Sequence, residues 1–216
     1  QTNLEVFARK KTPTIEEYQD IFGMIQNQTE RLSHLSEVLL DMTGIQSVER
    51  SDSISLAELT DEVCCDLASI ADQKKVELIQ EEGDCTVTGS YLLLYRAVYN
   101  LVENAIKYNH SGGKVTVKIS QTKALPVAHS KPADYALVEV TDTGIGISPE
   151  YQEKIFAPFF RVDKSRSRAM GGAGLGLALV AEIARQHGGQ VKVLASSKKG
   201  STIALMLPIN SPLIEI

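Results

Sequence analysis

Asn104 follows Asn100 by four residues, and Lys107 and Tyr108 follow Asn104 by three and four, within the stretch NLVENAIKY. In a helix that spacing puts two carboxamides, an ammonium and a phenol on one face. Such a face is costly unless it is wet or lines a polar site. An amide oxygen is a hard ligand suited to magnesium, and a lysine meets phosphate as a point charge. Read alone, the pattern suits a solvated surface as well. A second cluster is VEVTDTGIGI, residues 138–147, in which a strand pattern delivers Asp142 at its end and Gly144 and Gly146 follow. A carboxylate there can accept the exocyclic amine of adenine, and the glycines let backbone approach a flat base. A tight surface turn is the other reading.

Three more stretches carry chemistry. GGAGLGLALV, residues 171–180, sets glycines before a helical pattern, where unpaired N–H groups and the helix dipole attract phosphate. It is not a G-x-x-x-x-G-K-[ST] loop, and no strand directly precedes it as a dinucleotide fingerprint requires. FAPFFRVDKSRSRAM, residues 156–170, begins apolar and becomes basic with Arg161, Lys164, Arg166 and Arg168. It reads as a lid whose cations meet a polyphosphate, or as a solvated basic loop. KKGSTIALMLP, residues 198–208, places Gly200, Ser201 and Thr202 at the start of a closing strand, where simple turn chemistry is the alternative.

These stretches need elements to hold them. Ser55 opens a capping box with Glu58, predicting a helix to about Lys74. Short strands are expected at 76–80 and 86–88 around Gly83-Asp84, a helix at 91–108, and alternating strands at 114–120 and 135–141. A helix at 174–187 stops at Gly188-Gly189, and strands at 190–195 and 202–207 form a closing hairpin. Neighbouring strands with helices on one side predict an α+β chain, a two-layer α/β sandwich rather than a doubly wound sheet. Before it, Ile15, Tyr18, Phe22, Ile25, Thr29, Leu32, Leu35, Leu39 and Met42 form a heptad-like seam over 14–42. Residues 1–9 read as the end of a preceding helix and 10–14 as the turn between the two, giving a partial antiparallel helical hairpin. Residues 45–55 read as a linker. The expected division is 1–46 for the hairpin and 47–216 for the sandwich.

Composition narrows the function. A net charge of −5 argues against a general nucleic-acid binder. Adjacent Cys64 and Cys65, with Cys85, make neither a disulfide framework nor a zinc spacing and read as reduced thiols. No apolar run approaches the roughly 20 residues that span a bilayer. The first residues lack an initiating Met and read as mid-helix, so a longer parent protein is expected.

Taken in order, the five stretches resemble the N, G1, F, G2 and G3 boxes of the histidine-kinase ATP-binding domain. That domain belongs to the superfamily of gyrase, heat-shock chaperone, histidine kinase and mismatch-repair ATPases. The resemblance covers about residues 50–210 and implies a Bergerat-type fold that binds ATP with Mg2+. It implies that Asn104 binds the metal with Asn100 supporting it, Lys107 reaches phosphate, and Tyr108 lies against the base or ribose. It further implies that Asp142 recognises the adenine amine while Gly144 and Gly146 shape the pocket. Gly172, Gly174, Leu175, Gly176 and Leu177 would form the phosphate-side loop, Arg161 would belong to the lid, and Thr202 would assist near adenine.

Hydrolases of the superfamily place a water-activating glutamate where this chain has Asn100, a poor general base. Glu103 lies about 100° round the helix from Asn104. Transfer to histidine is therefore expected over hydrolysis; a binding module without transfer and a superfamily hydrolase are the alternatives. The chain departs from the family in its acceptor. Lys11-Thr12-Pro13 mimics the tail of the acceptor motif, but Ala8 stands in the histidine's place, and the mimic reads as the interhelical turn. His34 has no downstream proline, and His110, His129 and His187 fall near loops or helix ends. The acceptor is expected upstream of Gln1. The resemblance also implies a response regulator as partner, a homodimer through the hairpin of the parent, and a cytoplasmic domain of a membrane sensor anchored through other segments.

Overall fold

The structure, a computed structural model, describes residues 14–23, 25, 29, 49–124, 133–162 and 174–209. Most of the expected hairpin, with Ala8, Pro13 and His34, therefore lies outside the described residues. Its described beginning is helical over residues 15–23. Thr14 and Glu17 start it with a reciprocal cap, each side chain accepting from the other's backbone N–H. Ile15 and Phe22 on the seam are 79% and 72% exposed. This part of the stripe is not spent on the chain's own core.

From residue 52 the elements are β1 (Asp52–Ser55), α1 (Leu56–Lys74), β2 (Glu77–Gln80), β3 (Thr86–Gly89), α2 (Tyr91–Lys107), β4 (Lys114–Ala124) and β5 (Ala133–Asp142). Short 3-10 turns follow, then α3 (Gly176–Gln186), β6 (Gln190–Ser197) and β7 (Gly200–Pro208). Five strands form one sheet in the order β2-β4-β5-β7-β6, while β1 and β3 pair separately. The apolar positions of α1, Leu56, Leu59, Val63, Leu67 and Ala71, recur every three or four residues and are buried. So are Leu94, Val98, Leu101 and Val102 on α2, and Leu179, Val180 and Ile183 on α3. They share one core cluster with Val115, Val117, Val138, Val140, Leu205 and Leu207, alternate residues of three strands. Helices on one face of a sheet make the expected two-layer α+β sandwich.

Several boundaries differ from the sequence expectation. Residues 45–55, read as a linker, end in β1, which pairs antiparallel with β3 from Asp52↔Gly89 to Ser55↔Thr86. The short strands flanking Gly83-Asp84 do not pair with each other: β2 runs parallel to β4. Asp84 explains the diversion. Its carboxylate accepts from Ala57 N, Cys85 N and the Ser55 hydroxyl, so it caps α1 across space beside the Ser55–Glu58 bond. β4 and β5 run further than expected, and α3 starts two residues later, at Gly176.

Buried His187 ties the end of α3 to the start of α2. Its Nε2 accepts the Ser90 backbone N–H at 3.1 Å while Nδ1 lies 2.8 Å from the Ile183 carbonyl. Burial, outweighing the Ile183 bond, holds its pKa below 6.5, and the Arg50 charge pushes the same way. A depressed histidine pKa means that the unfolded chain takes up a proton that the folded chain refuses. This contribution to stability is present above the unfolded pKa of 6.5 and is lost as pH falls towards the folded value. The melting temperature is expected to fall between about pH 7 and pH 5, and His187→Gln to flatten that slope. An unaltered slope in the variant would exclude His187 as the source.

Candidate active site

α2 presents the first polar group. Asn100 Nδ2 donates to the Arg96 carbonyl and Asn104 Nδ2 to the Asn100 carbonyl, both at 2.8 Å. A carbonyl only accepts, so the amide nitrogens are fixed and each oxygen is the end left for a ligand. Asn100 Oδ1 faces the start of α3: a side-chain carbon at Gly176 would lie 2.6 Å from it and 3.7 Å from Asn104 Nδ2. Only glycine permits this approach.

Lys107 and Tyr108 close α2. The Lys107 ammonium lies 6.0 Å from the Tyr108 ring centroid, and the Lys107 carbonyl accepts from Lys74 Nζ at 2.6 Å. Desolvation raises the Tyr108 pKa, the Arg161 guanidinium lowers it, and Glu103 raises it, so Arg161 stands within electrostatic reach of the phenol. The Tyr108 carbonyl accepts from Ile145 N at 3.3 Å, and a side-chain carbon on Gly144 would sit 2.4 Å from that oxygen. The strand end carrying Asp142 thus abuts the end of α2.

Asp142 is half-buried at the tip of β5. Gly144 N donates to its Oδ1 at 2.7 Å, and the Ser201 backbone N–H also bonds the carboxylate. Desolvation nonetheless raises its pKa above the ordinary 3.8, outweighing both hydrogen bonds. The loop after it lies tight against the β6–β7 turn. Gly146 has φ +71°, a side-chain carbon there would lie 1.7 Å from the Ser197 carbonyl, and Ile147 N donates to Ser196 Oγ at 2.7 Å.

Gly174, with φ +74°, packs under Phe160 and Arg161, and its carbonyl accepts from Phe159 N at 2.9 Å. Contacts therefore join Asn100 and Asn104 to Gly176, and Gly174 to Phe160 and Arg161, while a second set joins Tyr108 to Gly144 beside Asp142; the Arg161 charge bears on Tyr108 across space. Leu175 is a core residue, 1% exposed, and Leu177 packs partly on the core, so both side chains anchor the loop. Gly172, Lys164, Arg166 and Arg168 lie outside the described residues.

Thr202 requires a correction. It pairs with Thr141, and their hydroxyls lie 3.0 Å apart. Alternation along the strand puts that pair on the sheet face away from Asp142. Ser201, 5% exposed, is the partner of Asp142 and stands where Thr202 was expected. Its phase was readable only with the β5–β7 register known.

The donor set suits magnesium-ATP. It comprises two amide oxygens held by hydrogen bonds on their nitrogens, cations at Lys107 and Arg161, a helix start whose Leu175 cap makes no side-chain hydrogen bond, and a desolvated carboxylate at Asp142. Among the described residues no cluster of three or more His, Cys, Asp or Glu side chains could hold a metal. The amide oxygens of Asn100 and Asn104 are the hard ligands that could meet magnesium bound to phosphates.

A family model described as histidine kinase-, DNA gyrase B-, and HSP90-like ATPase matches residues 89–211, more than half of the chain. The chain belongs to this ATPase family. Its relatives are named sensor histidine kinases. RppB of Synechocystis sp. is 33% identical over 192 residues, covering 87% of this chain and 40% of the relative. The chain thus spans about two fifths of that curated relative's length. The solved structure of the mycobacterial sensor histidine kinase MprB matches with a TM-score of 0.58 and 29% identity, over 73% of this chain and 97% of that one. A structure of histidine kinase ThkA in complex with response regulator protein TrrA shares the fold with a TM-score of 0.68 and 21% identity, over 96% of this chain and 56% of that one.

Proposed function

We propose that this chain is the ATP-binding catalytic part of a sensor histidine kinase, residues 47–216, preceded by part of a helical hairpin at residues 1–46. It transfers the γ-phosphoryl group of ATP to a histidine outside this chain, for relay to a response regulator. In this reading Asn104 and Asn100 hold and support magnesium, which neutralises charge on the phosphates. Lys107 and Arg161 meet the phosphates, Tyr108 lies beside the base or ribose, and Asp142 accepts the adenine amine. The phosphate-side loop is Gly172, Gly174 and Gly176. Positioning and electrostatics supply most of the catalysis in phosphoryl transfer.

The observation that carries transfer over hydrolysis is the state of Asn100. Its amide nitrogen is spent on the Arg96 carbonyl, and an amide oxygen cannot take a proton from water at neutral pH. The parent is proposed to be a membrane-anchored sensor that dimerises through the hairpin, with this part in the cytoplasm. Among the described residues no helix is long and apolar enough to cross a membrane. The test adds a separate polypeptide carrying the parent's acceptor helix, with labelled ATP. Acid-labile phosphohistidine is expected; binding without transfer, or steady phosphate release alone, overturns the proposal.

Asp142→Asn tests the adenine end. Gly144 N and the Ser201 N–H both require an acceptor, so the asparagine would turn its oxygen to them and its NH2 towards the base. Donor would then face donor. Nucleotide affinity is expected to fall about tenfold to a hundredfold, the equivalent of roughly 1–3 kcal/mol. An unaltered calorimetric titration would contradict the assignment.

A further inference from the structure

Asn109 and Thr143 carry no role in the reading above, yet each adjoins a residue that does: Asn109 follows Tyr108, and Thr143 follows Asp142. They meet in a closed hydrogen-bonded clasp. The Thr143 hydroxyl donates to Asn109 Oδ1 at 3.2 Å and accepts from Lys114 N at 2.8 Å. Asn109 Nδ2 donates to the Lys114 carbonyl at 3.0 Å, Oδ1 also accepts from His110 N, and Thr143 N donates to the same Lys114 carbonyl at 3.1 Å. The room for this amide comes from Gly113, where a side-chain carbon would lie 2.1 Å from Asn109 Oδ1. Three separate segments, the end of α2, the start of β4 and the end of β5, thus converge on two side chains.

We infer that Asn109 and Thr143 are positioning residues that fix the magnesium-binding face of α2 against the Asp142 end of β5. Neither touches a reacting atom. The clasp sets the separation between Asn104 and Asp142, the two ends that one nucleotide must bridge. A ligand spanning both ends gains from that fixed separation, because the ordering is done before binding. A ligand that occupies only the Asp142 end gains nothing from it. The inference rests on the proposed nucleotide reading, and its test separates the two.

Thr143→Val keeps the shape and deletes the hydroxyl. Affinity for the magnesium complex of a non-hydrolysable ATP analogue is expected to fall about tenfold by calorimetry. Affinity for adenosine, followed by NMR titration, is expected to change less than about twofold. Thr143→Ser, which retains the hydroxyl, restores the analogue's affinity. Asn109→Ala gives the same split while leaving Lys114 N its hydroxyl acceptor, which covers the case in which the valine variant does not fold. Equal weakening of both ligands, or of neither, overturns the inference. Wild-type chain that binds neither ligand removes the nucleotide reading itself, and the clasp's role with it.

Discussion

Asn104→Ala is expected to reduce phosphoryl transfer to an added acceptor helix by at least about a hundredfold, with the fold unaltered. The side chain is half-exposed on α2 and its nitrogen bonds only the Asn100 carbonyl, within its own helix. Alanine favours the helix, so stability is retained. What disappears is the hard oxygen proposed for magnesium, with no carboxylate cluster among the described residues to replace it. The effect is metal-linked: affinity for the magnesium complex falls, while affinity for nucleotide without the metal changes little. Unchanged transfer kinetics would remove Asn104 from the mechanism.

Gly146→Ala has the next largest expected effect, and it acts on backbone. The residue has φ +71°, where a non-glycine residue costs roughly 1–2 kcal/mol. In addition its new carbon would lie 1.7 Å from the Ser197 carbonyl, and no rotamer change can relieve a contact with main chain. Gly112 provides the comparison, since it has φ +79° and nothing within 4 Å of an added carbon. Gly112→Ala should show the conformational cost alone in urea denaturation. Gly146→Ala should lose more, and should also lose nucleotide binding as Asp142 and the β6–β7 turn separate. Equal losses in the two variants would mean that the turn yields freely.

The parts of the site that rest on local spacing were legible in the sequence. Asn100, Asn104 and Lys107 share a helical face whatever the tertiary structure, and Ser55 with Glu58 marks a helix start by chemistry alone. Asp142 was readable because apolar alternation ends on it. What could not be read depends on pairing between distant segments. Choosing between Ser201 and Thr202 needed the register of β7 on β5, because a period of two leaves the phase open. β1 is four residues of Asp, Ser and Ile, too short and polar to register as a strand without β3. Asp84 capping α1 from 27 residues away leaves no sequence signal at all. The Asn109–Thr143 clasp is likewise invisible until Gly113 is seen to make room for it.

The position of β7 has a consequence for how the chain matures on the ribosome. Among the described residues it is the last strand in sequence, yet it lies between β5 and β6. Until residues 200–208 emerge, β5 has an open edge, β6 has no partner, and Asp142 lacks the Ser201 N–H. A nascent chain lacking β7 would carry the asparagines proposed for magnesium already displayed on a helix, while the proposed adenine end at Asp142 stays unfinished. Competence for nucleotide thus arrives late and all at once, when the closing strand slides into the gap.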